Sequence, residues 1–185
     1  MKSGKKQLRI GVLDMQGSVE EHVESLRRAG VTPVRVKTVA DLANLDGLIM
    51  PGGESTTIGM LCKMYGLRDG IVAAVRGGMP VYGTCAGAIL LAKWGILDID
   101  VDRNAYGSQI ESFDTEITCS EISGGPVRAI FIRAPRFTRV GKKATVLAEH
   151  MGDPVLVRQD RILASSFHPE LTGDDRVHEY FLSHL

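Results

Sequence analysis

The sequence predicts an α/β fold of three layers: a mixed central sheet, parallel in its N-terminal half, with helices on both faces. Three observations carry this prediction. Short apolar runs alternate with helix-patterned segments through the first half of the chain, the rhythm of βαβ units. Two of those runs end in glycine-bearing turns, Pro51-Gly52-Gly53 and Gly83-Thr84-Cys85-Ala86-Gly87, at the point where a helix is due to start. Beyond residue 96 the pattern becomes apolar/polar alternation, as in half-solvated antiparallel strands.

The chain is 185 residues long, enough for one domain that buries roughly 70% of its unfolded surface. Residues 8–185 are expected to form that domain, behind a polar tail, Met1-Lys2-Ser3-Gly4-Lys5-Lys6-Gln7. Leu8 to Leu13 reads as the first buried strand. Ser18-Val19-Glu20-Glu21 has the form of a capping box, Val19, Val23 and Leu26 supply one apolar face, and Gly30 supplies the stop, so a helix follows. Val34 to Val36, Leu48 to Met50 and Met79 to Tyr82 continue the buried strands, with helices between them; Ala86 to Lys93 is the last of these helices. Leu97-Asp98-Ile99-Asp100-Val101-Asp102 alternates strictly and Phe113 to Ile117 nearly so. Val127 to Ile132, Thr145 to Ala148, Val155 to Val157 and Ile162 to Phe167 are further strands. Thr172 is placed to cap a final helix with Val177, Tyr180, Phe181 and Leu185 as its stripe.

Composition narrows the partners. Lys plus Arg and Asp plus Glu are equal at 22 each, and no stretch clusters basic residues as a nucleic-acid groove or membrane-surface helix does. Small-molecule or protein partners are expected, not nucleic acid or membrane. The longest apolar stretches, such as Ala86 to Ala92, fall far short of the ~20 residues that span a bilayer. No apolar signal region follows the first lysines, so a cytoplasmic location is expected. The three cysteines, Cys62, Cys85 and Cys119, are widely spaced without CxxC pairs, which suggests free thiols and neither a disulfide framework nor a metal site.

Cys85 carries the chemistry. Gly83-Thr84-Cys85-Ala86-Gly87 has the G-x-nucleophile-x-G form of a strand-to-helix elbow, where small neighbours are a steric requirement of the strained turn. A helix N-terminus favours thiolate over thiol. Cys62, in an apolar helical run, and Cys119, near a loop, lack that context and read as structural. Of the five histidines, His22, His150, His178 and His184 sit in helical or loop settings that suggest solvated side chains. His168 instead follows an apolar run and belongs to His168-Pro169-Glu170, where an extended segment would point both side chains the same way, with Glu170 orienting the imidazole base. The Gly52-Gly53 turn leaves N–H groups free to serve as an oxyanion donor; read otherwise, it is an ordinary turn with Ser55 as N-cap. It lacks the spacing and lysine of a phosphate loop.

With GTCAG, PGGES and SFHPE in this order, the chain resembles the triad, or class I, glutamine amidotransferases, which have a flavodoxin-like fold and release ammonia from glutamine with a Cys-His-Glu set. Further stretches narrow the likeness: Val12-Leu13-Asp14-Met15-Gln16-Gly17, PGGESTTIG at 51–59, Asp102-Arg103-Asn104-Ala105-Tyr106-Gly107, Gln109-Ile110-Glu111-Ser112-Phe113, Phe131-Ile132-Arg133-Ala134-Pro135 and Phe167-His168-Pro169-Glu170-Leu171-Thr172. Together they look like the glutaminase subunits of ribose-5-phosphate-dependent pyridoxal 5′-phosphate (vitamin B6) synthases.

That resemblance implies Cys85 as nucleophile, His168 as base and Glu170 as its orienting partner. It implies substrate glutamine against Gly52, Gly53, Glu54 and Ser55, Gln16 near the oxyanion site, and Arg103 with Ile132 and Arg133 holding the substrate's polar ends. An arginine suits an α-carboxylate, and Glu54 suits an ammonium; unaided, Arg103 and Arg133 read as solvated strand ends. It implies a glutaminase that needs no cofactor, acts through a glutamyl thioester and passes ammonia to a barrel-shaped synthase subunit in a hetero-oligomeric complex. Two departures stand out. Asp14 occupies a position where family members carry a small or apolar residue, and Ala92-Lys93-Trp94-Gly95-Ile96 closes a connection that is longer in the family. The alternatives are a glutaminase feeding another synthase, such as the histidine-pathway one, and a non-catalytic amino-acid-sensing module on the same fold. The RNAYG, ESF and IRAP stretches oppose the first; the intact Cys85, His168 and Glu170 oppose the second.

Overall fold

The computed structural model describes residues 7–103 and 112–185. The tail up to residue 6 and the stretches Asn104 to Gly107 and Gln109 to Glu111 lie outside the described residues.

The first strand, β1 (Arg9–Leu13), runs through helix α1 (Val19–Arg28) into β2 (Thr32–Val36), which pairs parallel with it. A 3-10 turn at Val39–Leu42 leads to β3 (Gly47–Met50), also parallel to β1. Helices α2 (Ser55–Met64) and α3 (Leu67–Arg76) precede β4 (Val81–Thr84), and α4 (Ala86–Lys93) follows at once. Strands β5 (Ile99–Asp102), β6 (Phe113–Ile117), β7 (Val127–Phe131), β8 (Arg136–Val140), β9 (Thr145–His150), β10 (Asp153–Gln159) and β11 (Ile162–Ser165) complete the β structure. A 3-10 turn, Pro169–Leu171, and helix α5 (Arg176–Leu182) end it.

Seven strands form the central sheet in the order β2-β1-β3-β4-β11-β10-β9. The first five are parallel, and β10 and β9 turn antiparallel. The opening order 2-1-3-4 is that of flavodoxin-like sheets, where ligands gather beyond the carboxyl ends of the strands. Alternation sorts the side chains: Ile10, Val12, Ile49 and Tyr82 pack with α1 and α5 on one face, while Leu48, Met50 and Val81 pack with α2, α3 and α4 on the other. Each face also carries a small antiparallel pair. β6 and β7 bury Ile117, Ala129 and Phe131 on the α1/α5 side, and β5 and β8 bury Ile99 and Phe137 on the opposite side.

Three sequence expectations change. Arg136–Val140 is a strand that alternation did not announce, since only Phe137 of its five residues is buried. The last helix starts at Arg176 behind Asp175, not at Thr172; the Thr172 hydroxyl donates to the Pro169 carbonyl at 2.8 Å and accepts from Asp174 N at 3.0 Å, closing the preceding turn. Pro169-Glu170-Leu171 is a 3-10 turn, not an extended segment, because Pro suits the first position of a helical turn. The short connection after α4 is compact: Gly95, at φ 67°, ends the helix, Ile96 N–H returns to the Leu91 carbonyl at 3.0 Å, and Trp94, Ile96 and Leu97 are buried. Among the described residues no helix is long and apolar enough to cross a membrane.

Candidate active site

Strands β1, β3, β4 and β11 end on one edge of the sheet and deliver, in turn, Gln16 and Ser18, Gly52 to Ser55, Cys85 and His168. These residues line a cleft of about 440 Å³. Its remaining wall includes Arg103 after β5 and Ile132 and Arg133 after β7.

Cys85 sits between β4 and α4 with φ 47° and ψ −101°, a region that non-glycine residues avoid at a cost of about 1–3 kcal/mol. The neighbouring packing holds it there: Cys85 N–H donates to the Ser165 carbonyl at 2.8 Å. The glycine at 87 is obligatory, because a Cβ there would lie 2.0 Å from the Met50 carbonyl oxygen. Cys62 and Cys119 are buried free thiols away from the cleft, and burial pushes the Cys62 thiol up to about 11.

His168 is buried beside Cys85, with Nδ1 2.8 Å from Glu170 Oε1. Burial disfavours its cation, yet the Cys85 sulfur on one side and the Glu170 carboxylate on the other outweigh burial and raise its pKa. Glu170 is also buried. Burial pushes its carboxyl up, and His22, His168 and the Ser18 hydroxyl together bring it well below the usual range. Ser18 Oγ–H donates to Glu170 Oε1 at 2.7 Å. Ser18 therefore makes no side-chain cap to α1, contrary to the capping-box expectation: its hydroxyl is spent on a residue from the far end of the chain.

Behind Glu170 lies a histidine pair whose helical setting suggests solvated side chains, and the structure buries both. His22 and His178 are completely buried, with His22 Nδ1 2.9 Å from His178 Nε2 and His22 Nε2 3.1 Å from Thr84 Oγ1 and 3.5 Å from Glu170 Oε1. A signal existed. His22 lies three residues after Val19 and four before Leu26, and His178 three before Phe181, so both fall on the apolar stripes of their helices. His184 is exposed as expected, and His150 is half-buried and stacked on Phe113 and Phe131.

The cleft side is organised by backbone and exposed charge. A Cβ on Gly52 would lie 2.2 Å from His168 Cε1, so only glycine lets this turn approach the imidazole. The Gly52 carbonyl accepts Ser18 N–H at 3.1 Å, and Glu54 N–H donates to Gln16 Oε1 at 2.8 Å, which ties the Gly52-Gly53 turn to the end of β1. Glu54, not Ser55, caps α2: Oε1 accepts Thr56 N–H and Arg103, and Oε2 accepts the Thr57 N–H and hydroxyl. Those four bonds occupy the lone pairs that would meet a ligand ammonium, so Glu54 here anchors the helix and steadies Arg103. The backbone N–H bonds from Thr57 and Thr56, more than Arg103, hold its pKa at about 2. Ser55 is the buried first residue of α2 and faces the cleft. Arg133 adopts φ 42°, a second strained backbone at the cleft. Asp14 turns away to Arg35 at 3.3 Å and Lys37 at 3.5 Å, outside the cleft lining.

With a strained cysteine, a histidine and a carboxylate in line at the carboxyl edge of such a sheet, kinship can be judged. The SNO glutamine amidotransferase family matches the chain over residues 12–185. The chain belongs to this family. It is 51% identical over 184 residues to a protein named pyridoxal 5′-phosphate synthase subunit PdxT from Thermotoga neapolitana, covering 95% of this chain and 98% of that one. The protein of the same name from Kosmotoga olearia is 48% identical over 188 residues, covering 96% and 98%. A crystal structure described as a glutamine amidotransferase superposes with a TM-score of 0.90 at 46% identity, covering 94% of this chain and 97% of that one. The structure of PurLQS from Thermotoga maritima, at 18% identity, 96% and 99% coverage and a TM-score of 0.79, shares the fold.

Proposed function

We propose that the chain is the glutaminase subunit of a pyridoxal 5′-phosphate synthase, hydrolysing L-glutamine to L-glutamate and ammonia. The observation that carries this reading is the line Cys85–His168–Glu170, with Cys85 and His168 in the lining of the cleft, Glu170 buried behind the ring, and Cys85 held in strained geometry at the start of α4.

The Cys85 thiolate attacks the side-chain amide carbon, and charge moves to the amide oxygen. The His168 imidazolium passes its Nε2 proton to the amide nitrogen as the C–N bond breaks, releasing ammonia and leaving a glutamyl thioester. Neutral His168 then takes a proton from water, which attacks the thioester carbonyl; the C–S bond breaks, glutamate forms and the thiolate–imidazolium pair returns. Glu170 holds His168 Nδ1 throughout. Arg103 and Arg133, the cationic side chains of the cleft wall, suit the substrate's α-carboxylate. Ammonia passes to the synthase's barrel subunit. Docking of that subunit raises turnover by reorienting the Gly52-Gly53 peptide toward the oxyanion, which requires the Gly52 carbonyl to release Ser18 N–H.

The test is ammonia release from L-glutamine by the purified chain, alone and with saturating synthase subunit. Turnover is expected with the partner and far less without it. Cys85→Ala should abolish it and His168→Asn should lower it by ~10²–10⁴-fold; wild-type turnover from either variant would overturn the reading.

A further inference from the structure

Glu170 poses an electrostatic problem that the triad alone does not solve. Its side chain has no solvent exposure, its donors converge on Oε1, and Oε2 accepts no hydrogen bond among the described residues. While His168 is a cation the charge of Glu170 is balanced. Once His168 has given its proton to the departing ammonia, the carboxylate is a buried anion beside a neutral ring, and burial then favours its taking up a proton from outside the pair. A neutral Glu170 would no longer hold His168 Nδ1–H, and with it the tautomer that leaves Nε2 free to activate water. Among the described residues, the groups besides His168 that stabilise the ionised carboxylate are the Ser18 hydroxyl and the His22 ring.

The protonation of the histidine pair follows from its surroundings. Burial, the largest influence on each, lowers the pKa of His22 and of His178, so both rings are neutral near pH 7 and each offers one donor and one acceptor. His22 Nε2 lies 3.1 Å from Thr84 Oγ1, which can accept or donate, and 3.5 Å from Glu170 Oε1; an unprotonated Nε2 would turn its lone pair on the carboxylate, whereas a proton there is attracted by it and accepted by the threonine oxygen. Nδ1 must then accept from His178 Nε2–H across 2.9 Å. This leaves His178 Nδ1 as the unprotonated nitrogen, and that nitrogen is buried with no hydrogen-bond partner among the described residues. An orphaned lone pair is the cheaper choice over an orphaned N–H. Tyr82 packs edge-on against both rings at 6.5 and 5.9 Å, fixing their planes. Glu21 acts on His22, and Asp175 and Arg28 act on His178, from the flanking helices.

We propose that His22, oriented by His178, is a positioning residue whose Nε2–H, bonded to Thr84 Oγ1 at 3.1 Å, also faces Glu170 Oε1 at 3.5 Å and keeps that carboxylate ionised while His168 is neutral. The row of groups then runs Cys85, His168, Glu170, His22, His178, crossing the α1/α5 layer from cleft to core. The proposal rests on the catalytic reading above and adds to it two residues that line no part of the cleft.

The test measures kcat and KM for L-glutamine in the complex with the synthase subunit. His22→Phe should lower kcat about 10-fold with KM unchanged, the size expected for losing one dipole from a buried charge. His22→Gln, which restores an N–H near the position of Nε2, should recover most of that loss. Independently, ¹⁵N NMR of the wild-type chain at pH 7 should show His22 protonated on Nε2 and bare on Nδ1. Wild-type kcat in His22→Phe, a Gln variant no better than Phe, or a His22 protonated on Nδ1 would each overturn the proposal. Cys85→Ala run in parallel separates the cases: full activity there would remove the catalytic reading itself, whereas the tautomer is read without turnover.

Discussion

On the cleft side of His168 the charged groups are half exposed, at 51% for the Glu54 side chain and 45% for Arg103, and they bond to one another and to backbone. Behind the ring, Glu170 and His22 have no exposed side-chain surface at all. The two regions share the imidazole and little else. A ligand-facing wall must give up its bonds to an incoming molecule and take them back, which solvent makes inexpensive because water replaces each lost partner. A wall that sets the charge of a catalytic ring must not vary, and burial achieves this by making every unpaired polar group costly. Substitutions at the front should therefore act on ligand affinity, and substitutions behind should act on turnover and on acid stability.

The sharpest challenge to that division is Gly52→Ala, at the boundary. The added methyl would meet His168 Cε1, whose ring cannot retreat because Glu170 holds Nδ1. A fall in kcat of ~10²-fold or more is expected, as for a misplaced catalytic group. If kcat is unchanged in steady-state assays with the synthase subunit, the ring is not held from behind as described.

Next in size, Arg103→Ala or Arg133→Ala should raise the glutamine KM by about 10-fold with kcat near wild type, the pattern of lost ground-state binding. A fall in kcat at constant KM would move these residues from the front group to the rear one.

The smallest effect concerns acid stability. His178 has its pKa lowered to about 3 from 6.5, first by burial and then by His22. The unfolded chain therefore binds a proton in that window that the folded chain refuses, and stability falls as pH drops from 6.5 toward 3. His178→Phe removes the group, so urea unfolding between pH 6.5 and 5 should show a flatter dependence on pH than wild type. An identical slope would mean that His178 is not held neutral.

Much of the fold was legible. The parallel half-sheet announced itself through runs such as Leu48 to Met50, buried on both faces and so apolar without interruption. The elbow was legible because its glycines answer a steric demand within a few residues: Gly87 must clear the Met50 carbonyl. Strand Arg136–Val140 was not, since an edge pairing that buries one side chain in five leaves no alternation to detect. Local rules point to Ser18 and Ser55 as caps, and in the fold a competitor displaces each. Glu54 reached the α2 N–H groups first, and Glu170 drew the Ser18 hydroxyl.

What the sequence by itself determined is the set of local requirements: where strands end, where a turn needs glycine, and which cysteine stands at a helix start. These depend on sterics and periodicity over a handful of neighbours, and the chain carries them in any context. What only the tertiary structure decided is the choice of partner for each polar side chain. Ser18 meets Glu170 across 152 positions of sequence, and His22 meets His178 across 156. A hydroxyl or imidazole has several partners open to it, and the one it takes is set by which groups the packed layers bring within hydrogen-bond reach and shut away from water.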